Sequence, residues 1–326
     1  MALPTRTEQL DDFYTTTWNN RSSKVIDQIF TATPFYKWMK GKNAIQFDGA
    51  GGRFLEVPLS YAKNETVTSL AKGDTISLND TKFLTTAQFT WKYVAGNITR
   101  YYTDDQQNKG AQAQMNLANM KIDNLRNSLT DKFEEYMFGD GTGNSSKDPN
   151  GIRTFVQAVA AASQTATIGN ISQTTNTWWR NKQKTATGAA STYLLSDMRT
   201  LFNNCSLGQG VDSPDVVFTD QTSHELYEDE TQEIKVINDS ANGDPMMQTV
   251  RFKGIPVYWS GQAVAGNMYF LNSKYISLKM DPDVNFTMTE WKTVANTLDR
   301  YAQIVAKCEF VCNRLASLGV LNTIAA

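Results

Sequence analysis

The stretch that decides the fold runs from residue 53 to residue 100 and reads RFLEVPLSYAKNETVTSLAKGDTISLNDTKFLTTAQFTWKYVAGNITR. Every second residue from Leu55 to Tyr61 is apolar or aromatic, which indicates a strand with one apolar face. The same alternation returns from Ala87 to Ala95. Two alternating segments separated by a polar stretch predict one long β-hairpin.

The predicted length of this hairpin has a consequence for assembly. Strands of about 20 residues at roughly 3.3 Å each reach about 60 Å, which is longer than a domain of this size is wide. An isolated two-stranded hairpin is marginally stable in water, so its apolar face needs another surface. We expect that surface to belong to a neighbouring copy of the chain. The alternation leaves one alternative open, a hairpin that folds back onto the chain's own sheet.

The polar stretch between the two strands, residues 63–82, predicts a mobile tip. Gly73-Asp74 and Asn79-Asp80 are turn signals, and the positive and negative charges balance. We predict that the charged side chains of the tip make intersubunit contacts. These residues are Lys63, Glu65, Lys72, Asp74, Asp80 and Lys82.

The segment after the hairpin predicts a long helix from about Asp104 to Phe138. Thr103 and Gln106 form a capping box, and Gly139 ends the helix. At 1.5 Å per residue its length is roughly 50 Å. Apolar residues recur at steps of three and four and form one stripe: Ala111, Met115, Ala118, Ile122, Leu125, Leu129, Phe133 and Tyr136.

A glycine-rich loop, residues 139–150, marks the boundary of a second, α+β lobe. Its Gly-Asp-Gly-Thr-Gly run follows a helix, whereas a phosphate-binding loop follows a strand, so we interpret it as a turn. In the second lobe the periodicity predicts helices near 192–204 and 222–233 and strands at 216–219 and 255–260. A long alternating strand, 301–313, returns near the end of the chain.

Composition excludes several classes of protein. The chain has 326 residues, a formal net charge of −2 and three cysteines. It therefore lacks the basic excess of a dedicated nucleic-acid reader and the paired cysteines of a secreted disulfide framework. No apolar stretch approaches the roughly 18 residues of a membrane span. We expect a protein of a reducing cytoplasm with no membrane partner.

The residues that could carry chemistry do not converge in the sequence. His224 is the only histidine, and we predict an ordinary exposed residue. Cys308 and Cys312 share one strand face, where they fill core volume. Trp178 and Trp179 precede basic residues and offer a nucleic-acid contact, although a core tryptophan is the preferred interpretation. A carboxylate-dependent hydrolase using residues 228–233 is the remaining enzymatic alternative. We predict no enzyme, no metal and no cofactor.

The order of these parts resembles the major capsid protein family of tailed bacteriophages, whose HK-ninety-seven-type fold also builds encapsulins. The glycine loop, the following Asn150-Gly151-Ile152 and the stretch from Asp281 to Phe286 carry the residue-level likeness. The resemblance implies an α+β fold and six parts. These are an N-terminal arm (1–45), an extended loop hairpin (46–102), a peripheral domain with the spine helix (103–150), an axial domain (151–265), the peripheral return (266–313) and a final axial strand (314–326).

The resemblance also implies a function and partners. It implies a subunit that assembles into the hexamers and pentamers of an icosahedral shell around double-stranded DNA, in the virion and, during assembly, in the host cytoplasm. A portal protein is a further partner, and a separate scaffolding protein is expected because the sequence starts at Met1 directly in the arm. The alternative is the shell subunit of an encapsulin-like compartment that packages protein cargo. Lysine–asparagine crosslinks are not predicted.

Overall fold

The structure is a computed structural model and describes residues 33–48, 52–76, 78–103, 117–208, 211–232, 251–295 and 297–325. The chain divides into two compact units. Among the described residues, the smaller unit holds 94–103, 117–133, 283–295 and 297–306, and the larger unit holds the rest.

The described part of the chain contains five right-handed α-helices and sixteen strands. The helices are α1 (Pro34–Gly41), α2 (Leu117–Phe138), α3 (Ile152–Phe155), α4 (Ala190–Cys205) and α5 (Gln221–Gln232). The first eight strands are β1 (Ile45–Phe47), β2 (Phe54–Ser60), β3 (Leu84–Thr90), β4 (Lys92–Arg100), β5 (Thr167–Ile168), β6 (Ile171–Ser172), β7 (Lys182–Thr185) and β8 (Val216–Thr219). The others are β9 (Arg251–Phe252), β10 (Ile255–Trp259), β11 (Met268–Leu271), β12 (Ile276–Met280), β13 (Thr287–Met288), β14 (Lys292–Thr293), β15 (Arg300–Cys312) and β16 (Gly319–Asn322).

The predicted elements of the second lobe are confirmed. Six strands form one sheet in the order β7-β16-β11-β8-β10-β9. Helices α4 and α5 pack together against it and bury an apolar cluster that includes Met198, Leu201, Val217 and Phe270. Leucine and methionine at helical spacing on α4 supply the buried face of that helix. The last strand, β16, pairs with both β11 and β7.

The long returning strand β15 is also confirmed. In the larger unit its second half pairs antiparallel with β12, and β12 pairs in parallel with β1. In the smaller unit its first half pairs with β13 and β14. Cys308 and Cys312 are fully buried and reduced, and burial raises the pKa of both thiols. The two cysteines therefore fill core volume, as predicted.

Helix α1 inserts an aromatic side chain into the core of the larger unit. Phe35 is fully buried, and its ring contacts the rings of Phe138, Phe218 and Phe310 at centroid separations of 5.5, 4.9 and 6.1 Å. These rings come from α2, β8 and β15. Pro34 lies in the first turn of the helix, where backbone N–H groups have no partner within the helix. Its missing N–H therefore costs no helical hydrogen bond.

The predicted long helix is confirmed where the structure describes it. Helix α2 ends at Phe138, as the glycine predicted, and Leu129 and Phe133 of its apolar stripe are buried. In the smaller unit Phe133 packs on Phe286 at 5.3 Å between ring centroids. The predicted residues 104–116, including the capping box at Gln106, lie outside the described residues.

The prediction of one continuous hairpin from residue 53 to residue 100 is wrong in its length. The paired strands are β2 and β3, of 7 residues each, and the chain then starts a separate strand, β4, that pairs with β15. The buried face changes at Trp91. Ala87, Phe89 and Trp91 are buried, but beyond them Val94 and Ile98 are buried while Tyr93 is 64% exposed.

This change of phase has a simple cause in strand geometry. Side chains of a strand alternate between two faces, so a shift of one residue moves every later side chain to the other face. The alternation looked continuous in the sequence, because Tyr93 and Ala95 continue the pattern in which every second residue is apolar or aromatic.

Candidate intersubunit contact surface

The hairpin formed by β2 and β3 is the base of the candidate surface. Its register pairs Phe54 with Thr90 and Ser60 with Leu84, and the backbone N–H of Tyr61 adds one more bond to the carbonyl of Phe83 at 3.0 Å. At about 3.3 Å per residue the paired part spans roughly 20 Å. The hairpin is thus short, with a long segment, residues 61–83, between its strands.

The apolar face of the base is buried within the chain itself. Leu55, Leu59, Ala87 and Phe89 are each less than a tenth exposed. The ring of Phe89 packs edge-on against Phe155 of α3, with 6.0 Å between centroids. This part of the hairpin therefore packs on its own chain, as in the alternative that we left open, but β2 and β3 form a separate two-stranded sheet and join no other sheet among the described strands.

The two-residue turn between β5 and β6 packs against the base. Gly169 and Asn170 both have positive φ, 59° and 63°, as a type I′ turn requires. The carbonyl of Gly169 accepts a hydrogen bond from the N–H of Gln88 at 3.0 Å, and the amide of Asn170 donates to the Gln88 side chain at 3.1 Å. A Cβ on Gly169 would lie 3.0 Å from the side chains of Ala87 and Phe89.

An aromatic stack forms where the base ends and the tip begins. The rings of Tyr61 and Trp178 lie nearly parallel, with 5.4 Å between centroids and 16° between planes. Trp179 is buried beside them, and its indole N–H donates to the carbonyl of Ile168 at 3.1 Å. The interpretation of Trp179 as a core residue is therefore confirmed.

The tip itself, residues 61–83, has no helix or strand in the part that the structure describes. Short local hydrogen bonds shape it: the Asn64 side chain accepts from the N–H and hydroxyl of Thr66, and the Asp74 carboxylate accepts from the N–H of Ala71 at 2.7 Å. The tip thus follows the turn chemistry that its Asn, Asp and Gly residues predicted.

All six charged residues that we predicted as contacts are exposed on this tip. None of them forms an ion pair with another residue in the described part of the chain. The six therefore remain predictions, and the structure leaves their charged groups in water. They are Lys63, Glu65, Lys72, Asp74, Asp80 and Lys82.

The tip also exposes apolar side chains that were not among the predicted contacts. Leu78 is 97% exposed and Val67 is 82% exposed, and three others are about half exposed. These three are Leu70, Ile76 and Phe83. The signal was present in the sequence, because single apolar residues recur through the polar stretch. Apolar surface gains about 25 cal/mol per Å² when it is buried, which favours a partner for this surface over solvent.

Of the residues considered for chemistry, His224 lies on helix α5. His224 is largely buried, with 12% of its side chain exposed, and its Nδ1 lies 3.6 Å from a carboxylate oxygen of Glu228 one helical turn away. The prediction of an exposed histidine was wrong, because the helix packs that face against its lobe. No cluster of three His, Cys, Asp or Glu residues suitable for a metal occurs among the described residues. Of the helices described, none combines the length and apolar character that a membrane span needs.

Comparisons with known proteins give no match to any family model and no match among curated proteins. Solved structures do match. The capsid asymmetric unit of cyanophage A-1(L) has a TM-score of 0.69 and 16% identity, over 94% of this chain and 97% of that one. The capsid of Myoviridae phage XM1 has a TM-score of 0.58 and 11% identity, over 93% and 96%. The holo-SrpI encapsulin of Synechococcus elongatus also has a TM-score of 0.58, with 10% identity over 99% and 96%.

At these identities the likeness shows the fold. The chain has the HK-ninety-seven-type capsid fold, and it has that fold over nearly its whole length. The predicted fold class, an α+β capsid fold, is confirmed. The boundaries of its predicted domains remain predictions. Strand β11 (Met268–Leu271) lies in the sheet of the second lobe, although it follows the predicted end of the axial domain at residue 265.

Proposed function

We propose that this chain is the major capsid protein of a tailed double-stranded DNA bacteriophage, and that copies of it assemble into the hexamers and pentamers of an icosahedral shell. The observation that carries the proposal is a capsid fold that spans nearly the whole chain and leaves an apolar tip in solvent. A subunit that acts alone has no reason to keep Leu78 and Val67 almost fully exposed.

The tip is the proposed grip on a neighbouring subunit. Its apolar side chains supply a surface whose burial favours association, and its six charged residues surround them with both signs of charge. Exposed ion pairs contribute little individually, about 0–1 kcal/mol each. We therefore propose that the apolar groups supply most of the affinity and that the charged groups set the register and orientation of the two subunits.

The partners in this proposal are other copies of the chain, a scaffolding protein, a portal protein and the packaged DNA. Contact with DNA is non-specific, because the net charge of −2 gives no basic excess for a dedicated reader. The shell would form in the host cytoplasm and end in the virion. The role is structural, with no catalytic step assigned to any residue.

The similarity to an encapsulin supports a second candidate, the shell subunit of a protein compartment. The two candidates differ in what the shell encloses. Particles purified from expressing cells can be treated with nuclease and then opened. Protected DNA in particles made with the neighbouring phage genes supports the capsid, whereas a stoichiometric protein cargo without DNA supports the compartment.

The experiment that tests the tip is a deletion of residues 63–82. Because the hairpin base is held by its own chain, we expect the deleted subunit to fold with an unchanged circular dichroism spectrum and to lose closed shells in electron micrographs. A matched control replaces the same residues with a Gly/Ser segment of equal length. Shells of normal size and yield from both variants would contradict the proposal.

A further inference from the structure

Glu309 is a carboxyl side chain buried in the middle of β15, with no exposed surface. Its cross-strand neighbour on β12 is Lys279. Glutamate is almost never buried without a full set of partners, because moving its charge out of water is costly. The partners of its two oxygens therefore decide which protonation state the fold favours.

The two oxygens of Glu309 differ. Oε1 accepts hydrogen bonds from the backbone N–H of Asn150 at 2.9 Å and of Phe310 at 3.0 Å. Oε2 is buried and has no hydrogen-bond partner in the described structure. A carboxylate with one satisfied and one unsatisfied oxygen carries an uncompensated part of its charge in the core.

Among the residues that the structure describes, none forms an ion pair with Glu309, and the basic residues of the neighbouring elements have other partners. Lys307, on the same strand, pairs with Asp281 at 2.6 Å. Lys279 lies 3.8 Å from Asp48.

On the loop side, Arg153 lies 3.7 Å from Asp140, and Lys92 donates its ammonium hydrogen to the carbonyl of Ser146. Burial is the largest influence on Glu309 and raises its pKa to about 7, from 4.5. The two backbone N–H donors, the Lys92 charge and the Asn150 side chain favour the ionised form but do not offset burial.

Glu309 holds a tightly packed joint of the larger unit. Its partner Asn150 ends the glycine loop, and Gly151 follows. A Cβ on Gly151 would lie 2.2 Å from the carbonyl oxygen of Tyr136 and 2.5 Å from that of Gly139, so the loop closes directly on the end of α2. The N–H of Arg153 also donates to the carbonyl of Gly139 at 3.1 Å.

We propose that protonation of Glu309 controls the contact between β15 and the loop of residues 139–150. When neutral, it keeps the dry packing that the structure shows, with Asn150 held on the strand. When ionised, its second oxygen draws water into the joint and loosens the loop. The inference goes beyond the proposed function and does not depend on it, because it concerns the single folded chain.

The expected dependence on pH follows from the direction of the shift. In the folded chain Glu309 keeps its proton up to about pH 7, while the unfolded chain loses it near pH 4.5. Stability from this group is therefore complete below about pH 4.5, falls as the pH rises through about 7 and is constant above that. The ratio of folded to unfolded chain is expected to change by on the order of 100-fold through this group.

The test compares urea unfolding of the full chain from about pH 5 to about pH 8.5 for the wild type, Glu309→Gln and Glu290→Gln. Glu290 is an exposed glutamate and serves as the matched control. With rising pH, we expect the ratio of folded to unfolded chain to fall by on the order of 100-fold through Glu309 in the wild type and in Glu290→Gln. In Glu309→Gln we expect this part of the fall to be absent. Identical pH profiles for Glu309→Gln and the wild type would overturn the proposal.

A second measurement covers the case in which Glu309→Gln does not fold. The pKa of Glu309 is raised to about 7, so an infrared titration of the wild type detects its proton in a range where ordinary carboxyl groups are already ionised. We expect a protonated-carboxyl band that persists above about pH 6 and disappears near neutral pH. Loss of every such band by about pH 5 would overturn the proposed role of Glu309.

Discussion

The carboxylate of Glu134 accepts the backbone N–H of Phe35 at 3.0 Å, so a side chain of α2 caps the start of α1. The other oxygen, Oε2, accepts from the N–H of Tyr36, also at 3.0 Å, and the hydroxyl of Ser260 donates to Oε1 at 3.3 Å. Helix N-termini carry unpaired N–H groups and a partial positive charge, which a buried carboxylate satisfies. Glu134 thus fixes the helix that inserts Phe35 into the core.

Replacement of Glu134 is expected to destabilise the subunit strongly. Glu134→Ala removes two charge-assisted hydrogen bonds in a buried place and leaves two N–H groups unsatisfied. We expect a loss of about 3 kcal/mol in the free energy of unfolding, measured in urea.

The control for this variant is Asn127→Ala, at an exposed position on the same helix. Its effect should stay within about 0.5 kcal/mol of zero. Equal effects of the two substitutions would show that the cap does not stabilise α1.

Gly151 is expected to tolerate no side chain. A Cβ at this position would meet the carbonyl oxygens of Tyr136 and Gly139 at 2.2 and 2.5 Å, and backbone oxygens cannot move aside as a flexible side chain does. Gly151→Ala should lower the free energy of unfolding by about 3 kcal/mol or more.

Gly41→Ala is the matched control, because nothing lies within 4 Å of its added Cβ and it sits at the end of α1. We expect it to be neutral or to stabilise by up to about 1 kcal/mol. A Gly151→Ala protein as stable as Gly41→Ala would refute the close packing of the joint.

The apolar residues of the tip are expected to govern assembly without affecting folding. The double variant Val67→Ser with Leu78→Ser exchanges two side chains that are 82% and 97% exposed. The unfolding free energy should change by less than about 0.5 kcal/mol, while the subunit concentration needed for assembly should rise about tenfold or more.

Light scattering against subunit concentration measures that threshold. The control is Lys63→Ser with Lys82→Ser, which removes two exposed charges from the same tip. A larger effect from the lysine pair than from the apolar pair would mean that the charged side chains of the tip, and not its apolar side chains, supply most of the affinity.

The Tyr61–Trp178 stack is expected to hold the hairpin base against its own lobe. Trp178→Ala should speed amide hydrogen exchange in β2 and β3 by about tenfold, because aromatic pairs contribute about 0.5–1.5 kcal/mol beyond their buried area. Trp259→Ala, a change at a 49% exposed tryptophan, is the control and should leave exchange in the hairpin unchanged. Equal exchange in the two variants would mean that the stack does not hold the base.

Part of the fold was predictable from local signals. The four second-lobe elements that we predicted, α4, β8, α5 and β10, end within two residues of their predicted bounds, because strong periodicity and flanking loop residues mark them. The short strands β5, β6, β7, β9 and β11 were not predicted. The end of α2 followed from Gly139. These features depend on residues near one another in the sequence, which is the information that a pattern contains.

The hairpin was predicted only in part, because its length depends on which strands pair. No local signal separates β3 from β4, and the partner of β4 is β15, which lies far along the chain. The change of buried face at Trp91 follows from that distant pairing.

Glu309 and Glu134 were missed for a related reason. Each looks like an ordinary charged residue in an amphipathic element, and only tertiary packing shows it fully buried.

In the proposed shell, the tip of each subunit binds a second subunit. Cryo-electron microscopy of particles assembled from the full chain shows whether this contact forms. We predict closed shells in which residues 61–83 of each subunit lie on a neighbouring copy, with Val67 and Leu78 buried. Particles in which the tip remains in solvent, or a chain that stays monomeric at every concentration even when expressed with its neighbouring gene products, would contradict the account.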